Sequence, residues 1–211
     1  LSSDDYGVPQ QRKRVFFVGV NEKKIPPNVK FEFPKAEYGD GKKPYITCKE
    51  AISDLDFVPD DVSLGENIAY KIPAQSEYQK LMRKDSDSIK NHSITIHKEQ
   101  TKKIIAMVPD GGNYKDLPIE LQNTRKVHIA WTRMNSEKPC FTIDTGHNHH
   151  FHYKENRVPT VRESARIQSF PDRFEFIGIK TSQLKQVGNA VPPLMAKAIA
   201  EEVIKVIGDA K

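Results

Sequence analysis

One stretch, residues 157–193, constrains the fold of this chain more than any other. Thr160 is an N-cap candidate with Glu163 three positions on, so Thr-x-x-Glu opens a helix by reciprocal capping. Phe170-Pro171-Asp172 stops that helix within three turns, because proline lacks the N–H and restricts the residue before it. Residues 186–193, Gln-Val-Gly-Asn-Ala-Val-Pro-Pro, then read as a tight glycine turn running into paired prolines. Proline preorganises a first helical turn, and residues 194–207 follow with helical spacing. Leu194, Met195, Ala198, Ile199, Val203 and Ile204 form its apolar face, part of which this chain alone is expected to leave uncovered. Arg162, Glu163 and Arg166 share the capped helix, as a buried arginine–carboxylate brace or as a solvated face.

The 211 residues suffice for one good core, or a core with a small satellite. A net charge of +5 suits a phosphate backbone but is also ordinary for a solvated surface. Two cysteines make no disulfide framework and fit a reducing cytoplasm. No apolar run reaches the ~18 residues of a membrane span, and the polar start is not a signal peptide. Leu1 in place of an initiator methionine points to a piece of a longer protein or a processed product.

Read in order, Tyr6-Gly7-Val8-Pro9 is turn chemistry, and residues 14–20 form a strand whose run Val15-Phe16-Phe17-Val18 predicts burial on both faces. Residues 21–43, rich in proline, lysine and glycine, are irregular and lead out of one domain into another. Thr47-x-x-Glu50 caps a short helix over 47–55, followed by an acidic loop over 56–65. Helices are expected at 76–82 and 99–108, strands at 89–97 and 141–143, and a turn at Asp110-Gly111-Gly112-Asn113.

Two groups of polar residues invite a role. Arg133, Thr142, Asp144, Thr145, His147, Asn148, His149 and His150 each carry donors or acceptors suited to a base edge, on or near one glycine-containing loop. Gln10 and Arg12 precede the first strand and Arg14 opens it, where they are either a solvated turn or polar groups with the fixed hydrogen-bonding forks of arginine. The histidine run does not read as a metal site. Neighbours on an extended chain point to opposite faces, and no Cys-x-x-Cys completes a ligand set. Cys140 reads as a small packing residue.

The wording of four blocks adds a family. RESARIQSFPD followed by KQVGNAVPP resembles the last two sequence blocks of the DNA (cytosine-5) methyltransferases. YGVPQQRKR resembles the block just before their DNA-reading domain, and RMNSEKPCFTIDTG is similar to part of that domain. The resemblance implies an α/β fold. Residues 1–20 and 157–211 would be end pieces of a doubly wound S-adenosylmethionine-dependent methyltransferase sheet. They would flank an irregular target-recognition domain at 21–156. It implies that Gln10, Arg12 and Arg14 line the catalytic cleft. Asn189, Ala190 and Val191 would touch S-adenosyl-L-methionine, and the Arg162–Arg166 block would brace the two parts. In this family a cysteine after proline attacks a flipped cytosine, assisted by a glutamate of a Glu-Asn-Val motif. Pro139-Cys140-Phe141, Glu66-Asn67-Ile68 and Glu155-Asn156-Arg157 are out of order for those roles, and the glycine-rich cofactor loop is missing. The expectation is therefore the carboxy-terminal half of such an enzyme, bacterial and of a restriction–modification system. Its partners would be double-stranded DNA and an amino-terminal catalytic half. Alternatives are a subunit of a split methyltransferase and a non-catalytic DNA-binding module.

Overall fold

Helices, most of ten residues or fewer, and long irregular connections make up the described residues. The computed structural model describes residues 1–26, 28–56, 67–122, 127–147 and 149–209. Among these, the regular elements are α1 (Cys48–Ile52), α2 (Glu77–Arg83), α3 (Glu99–Ala106), α4 (Ile119–Gln122), β1 (Thr132–Arg133), β2 (His150–Phe151), α5 (Val161–Ile167), α6 (Lys180–Asn189) and α7 (Pro193–Asp209). Both expected capping boxes form. The Thr47 hydroxyl accepts the Glu50 N–H at 3.1 Å, and the Thr160 hydroxyl accepts the Glu163 N–H at 3.1 Å; each glutamate returns the bond to its cap residue.

Three expected strands do not form. Residues 14–20 form no strand: among the described residues only Arg14 is paired, by two backbone bonds with Leu1, and although Phe16 packs against Tyr6, Val8 and Met195, Val15 is 78% exposed and Phe17 95%. The apolar pattern is that of a doubly covered strand, but a strand also needs a neighbour's backbone groups, and beyond Arg14 none of the described segments supplies them. Residues 89–97 make one bridge, Ile89 to Ile68, and 141–143 make none. The regular pairing is instead β1 alongside β2, parallel, with Thr132 opposite His150 and Arg133 opposite Phe151. The expected turn over 186–193 is also displaced. Residues 186–189 complete α6, and the reversal begins at the extended cap Ala190.

The core is centred on α5, every residue of which is buried. Val161, Ala165 and Ile167 pack with Cys48, Ile52, Met82, Met134, Cys140 and Val187. Ile105, Trp131, Phe151 and Val158 form a second cluster under α3, and Tyr6, Val8 and Met195 a third under the start of α7. The α5 charges are paired inside this core. Arg166 donates to both oxygens of Asp172 at 2.6 Å and to Asp54 at 3.1 Å, while Arg157 grips Glu163 through two 2.7 Å bonds. Arg162 donates to the carbonyls of Lys90 and Phe174. Of the two readings left open for these residues, the buried brace is the one observed. The far end of the α7 face stays uncovered, with Ile204 and Ile207 exposed. Among the described residues, no helix is long and apolar enough to cross a membrane.

Candidate functional site

Gln10 joins three segments that are remote in sequence. It is fully buried; its Oε1 accepts the Ile143 N–H at 3.0 Å, and its Nε2 donates to Gln168 Oε1. Gln168 in turn donates to the carbonyls of Val187 at 3.2 Å and Ala190 at 2.8 Å. The backbone locks the same junction. Gln11 N–H donates to the Cys140 carbonyl at 2.7 Å, Cys140 N–H to the Pro9 carbonyl at 2.9 Å, and the Thr142 hydroxyl to the Gln11 carbonyl at 2.9 Å. Arg12 is buried beside them and donates to the Gly188 carbonyl at 2.8 Å. Burial, then the charge of Arg14, lowers its guanidinium pKa. The Arg14 side chain is exposed, donates to the adjacent Lys13 carbonyl and does not join the cluster; its backbone pairs with Leu1.

Gly188 is where the end of α6 meets the loop over 144–147. Its backbone is ordinary helix, so its need for glycine is spatial. A Cβ there would come within 2.8 Å of both the Asp144 carbonyl oxygen and Thr145 Cγ2. One residue on, Asn189 is exposed, Ala190 is half-buried and Val191 exposed, so the three form a polar-then-apolar rim.

The expected base-reading residues divide. Arg133 is a correction: it is 4% exposed, and its guanidinium donates to the carbonyls of Ile105, Val108, His152 and Glu155 and to the Asn156 side chain. Buried arginine must satisfy its donors, and five partners leave nothing to offer a base. Asp144 and His150 also turn inward. Asp144 Oδ1 accepts the N–H groups of Gly146 at 2.7 Å and His147 at 3.3 Å, shaping the loop. Its Oδ2 lies 3.8 Å from His150 Nδ1, at a cavity of about 30 Å³ lined also by Met134 and Leu184. Burial lowers the His150 pKa, and Asp144 opposes that. Thr142 is tied to Gln11, and Thr145 packs against Gly188. His147 remains exposed and His149 half-exposed. Asn148 lies outside the described residues, as does Glu66.

Sequence reasoning missed two residues here. Gln168 sits in a block singled out for its arginines, but nothing local marks it as the bridge. His128 lies 21 positions before His149, yet their rings stack. Among the described residues no cluster of three or more His, Cys, Asp or Glu converges on a cation position. Cys140 is buried against Cys48; burial first, then that neighbour, pushes its thiol pKa well up, so it stays a neutral packing group.

A profile of the C-5 cytosine-specific DNA methylases matches residues 1–205. The chain belongs to this family. Members use S-adenosyl-L-methionine as methyl donor. The chain is 34% identical over 205 residues to Type II methyltransferase M1.HphI of Haemophilus parahaemolyticus, covering 97% of this chain and 46% of that protein. It is 34% identical over 222 residues to M.DdeI of Desulfomicrobium norvegicum, covering 96% and 52%. The chain thus spans about half the length of the curated relatives it matches. A solved DNA modification methyltransferase encoded within an Escherichia coli prophage shares the fold, with a TM-score of 0.72 at 22% identity, over 99% of this chain and 59% of that one. For a C-5 cytosine methylase, the exposed Asn189 amide next to apolar Val191 suits one edge of a nucleoside-like cofactor.

Proposed function

We propose that this chain is the carboxy-terminal portion of a DNA (cytosine-5) methyltransferase. It would select the duplex sequence and contribute one wall of the S-adenosyl-L-methionine pocket. Residues 21–156 would be the target-recognition part, and residues 1–20 with 157–211 the remnant of the catalytic domain. The observation that carries this reading is the junction at Gln10 and Gly188. It ties the segment before the recognition part, the recognition loop and the rim at Asn189, Ala190 and Val191 into one hydrogen-bonded unit.

The chemistry divides accordingly. The bound cofactor supplies the methyl group for cytosine carbon five. The thiolate nucleophile and the glycine-rich cofactor loop belong to polypeptide outside this sequence, in a bacterial cytoplasmic restriction–modification enzyme. Here, buried Arg12 fixes Gly188, and Gln10 fixes the loop root at Ile143, so the recognition loop is held in register with the rim at Asn189, Ala190 and Val191 that would touch the methyl donor.

A salt-dependent, sequence-selective affinity for duplex DNA is expected of this chain, with no methyl transfer from labelled cofactor until a polypeptide bearing a Pro-Cys-Gln nucleophile is supplied. Clear turnover by the chain alone would overturn the division. The second reading, a subunit of a split enzyme, is favoured by the outward-facing Val15, Phe17, Ile204 and Ile207, which suit a separate partner sheet. Mixing separately folded halves and recovering transfer distinguishes it.

A further inference from the structure

The parallel pairing of β1 with β2 brings two histidines face to face. Thr132 N–H donates to the His149 carbonyl at 3.0 Å, and a turn closed by the Trp131 N–H on the His128 carbonyl at 2.9 Å folds His128 back over the same place. The rings stack with centroids 4.0 Å apart and planes 4° from parallel. His147 lies 6.0 Å from His149 at 20°. His128 is exposed, and its Nδ1 accepts the Ala130 N–H at 3.1 Å. In the neutral ring the proton therefore sits on Nε2, which leaves a hydrogen-bond donor free for a partner.

Parallel rings cannot aim their nitrogens at one cation, but they match another geometry. Stacked base pairs repeat about every 3.4 Å, close to the spacing of two stacked imidazoles. We infer that His128 and His149 act as a preformed two-ring reader whose edges contact two successive base pairs in the major groove. The His128 Nε2–H would donate to a purine N7 or a guanine or thymine carbonyl. This rests on the proposed DNA-reading role and adds His128, which lies outside the recognition loop. Each ring restrains the other before DNA arrives, so less freedom is lost on binding. Exposed donors of this kind read acceptor-bearing edges in the major groove, where all four base pairs differ.

The stack also has a signature that needs no DNA. Burial, then the nearby His128, lowers the His149 pKa; His147 acts the same way and Asp144 opposes them. Removing the His128 ring relieves the first two influences together, so His128→Ala raises the His149 pKa in an NMR titration. A merely space-filling contact restored by His128→Phe recovers the burial but not the base preference.

The test is selection from a randomised duplex library with the full chain and with His128→Ala, His128→Phe and His149→Ala. The wild type is expected to enrich a motif with two adjacent acceptor-bearing positions. Each alanine variant should flatten preference at one of the two by roughly fivefold to tenfold and leave the rest unchanged. A 7-deazapurine at the His128 position should reproduce the loss in the wild type when the selected base is a purine. Unchanged motifs in both alanine variants, or effects at positions that are not adjacent, would overturn the inference alone. A wild-type chain that enriches no motif would overturn the DNA-reading role and the inference with it.

Discussion

Glu163→Gln isolates the charge at the centre of the α5 brace. The carboxylate is fully buried, takes two 2.7 Å bonds from Arg157 and one from the Thr160 N–H, and lies 3.7 Å from His152 Nε2. His152 Nδ1 accepts the N–H groups of Lys154 and Glu155, so its Nε2 carries the ring proton toward the acidic side. Glutamine keeps the cap acceptor but sets an N–H₂ against the Arg157 fork and takes from that buried guanidinium its hydrogen-bonded counter-charge, leaving only the weaker influence of Glu155 and Asp56. Breaking one side of such a pair costs about 3–5 kcal/mol, a large part of a typical 5–15 kcal/mol total. With a urea dependence of about 2 kcal/mol per molar, the midpoint should fall by roughly 1.5–2.5 M. Trp131, the single tryptophan and a buried one, reports the transition by fluorescence.

The pH dependence follows from the direction of the Glu163 pKa. Burial opposes its charge, but Arg157 outweighs burial and holds the carboxyl well below its ordinary 4.5. A depressed folded pKa stabilises the fold fully above the unfolded value and progressively less as pH falls toward the folded one. The gap between wild type and Glu163→Gln should be flat from pH 8 to about 5, then close by roughly 1.4 kcal/mol per pH unit below 4.5. A gap below about 1 kcal/mol at pH 7, or one that is unchanged at pH 3, refutes the brace.

Further outcomes follow from other contacts. Gly188→Ala must displace the Asp144 carbonyl or Thr145, and should cost about 1–3 kcal/mol in urea unfolding while weakening duplex binding. Arg133→Lys loses most of five buried acceptors and should lower the melting temperature by several degrees without altering the selected DNA motif; a changed motif with full stability would return Arg133 to a reading role. Phe17→Ser, at 95% exposure, should leave the stability of this chain within about 0.5 kcal/mol yet reduce transfer recovered on mixing with a catalytic half.

Local chemistry was legible wherever a few neighbouring residues decide the outcome. The capping boxes at Thr47 and Thr160 formed as read, because cap, N3 glutamate and helix lie within four residues. The family wording was legible for the same reason, since each block is contiguous. Strands were not. Residues 14–20 carry the right side chains, but pairing depends on a second segment that the pattern of the first does not specify.

The candidate site follows the same division. Sequence marked Gln10, Arg12 and Asn189, but only the packed chain brings Gln168 between Gln10 and Ala190, or lays His128 on His149 across 21 residues. Arg133 and Asp144 looked like DNA-facing groups because donors and acceptors on a list carry no direction. Burial decided their use: inside a protein, polar groups must find partners among whatever backbone is nearest, and here that was the carbonyls around Ile105 and the amides of Gly146 and His147. What the residues alone determined was the family and the local helix starts. Which polar side chains face out, and which hold the scaffold together, was decided by long-range packing.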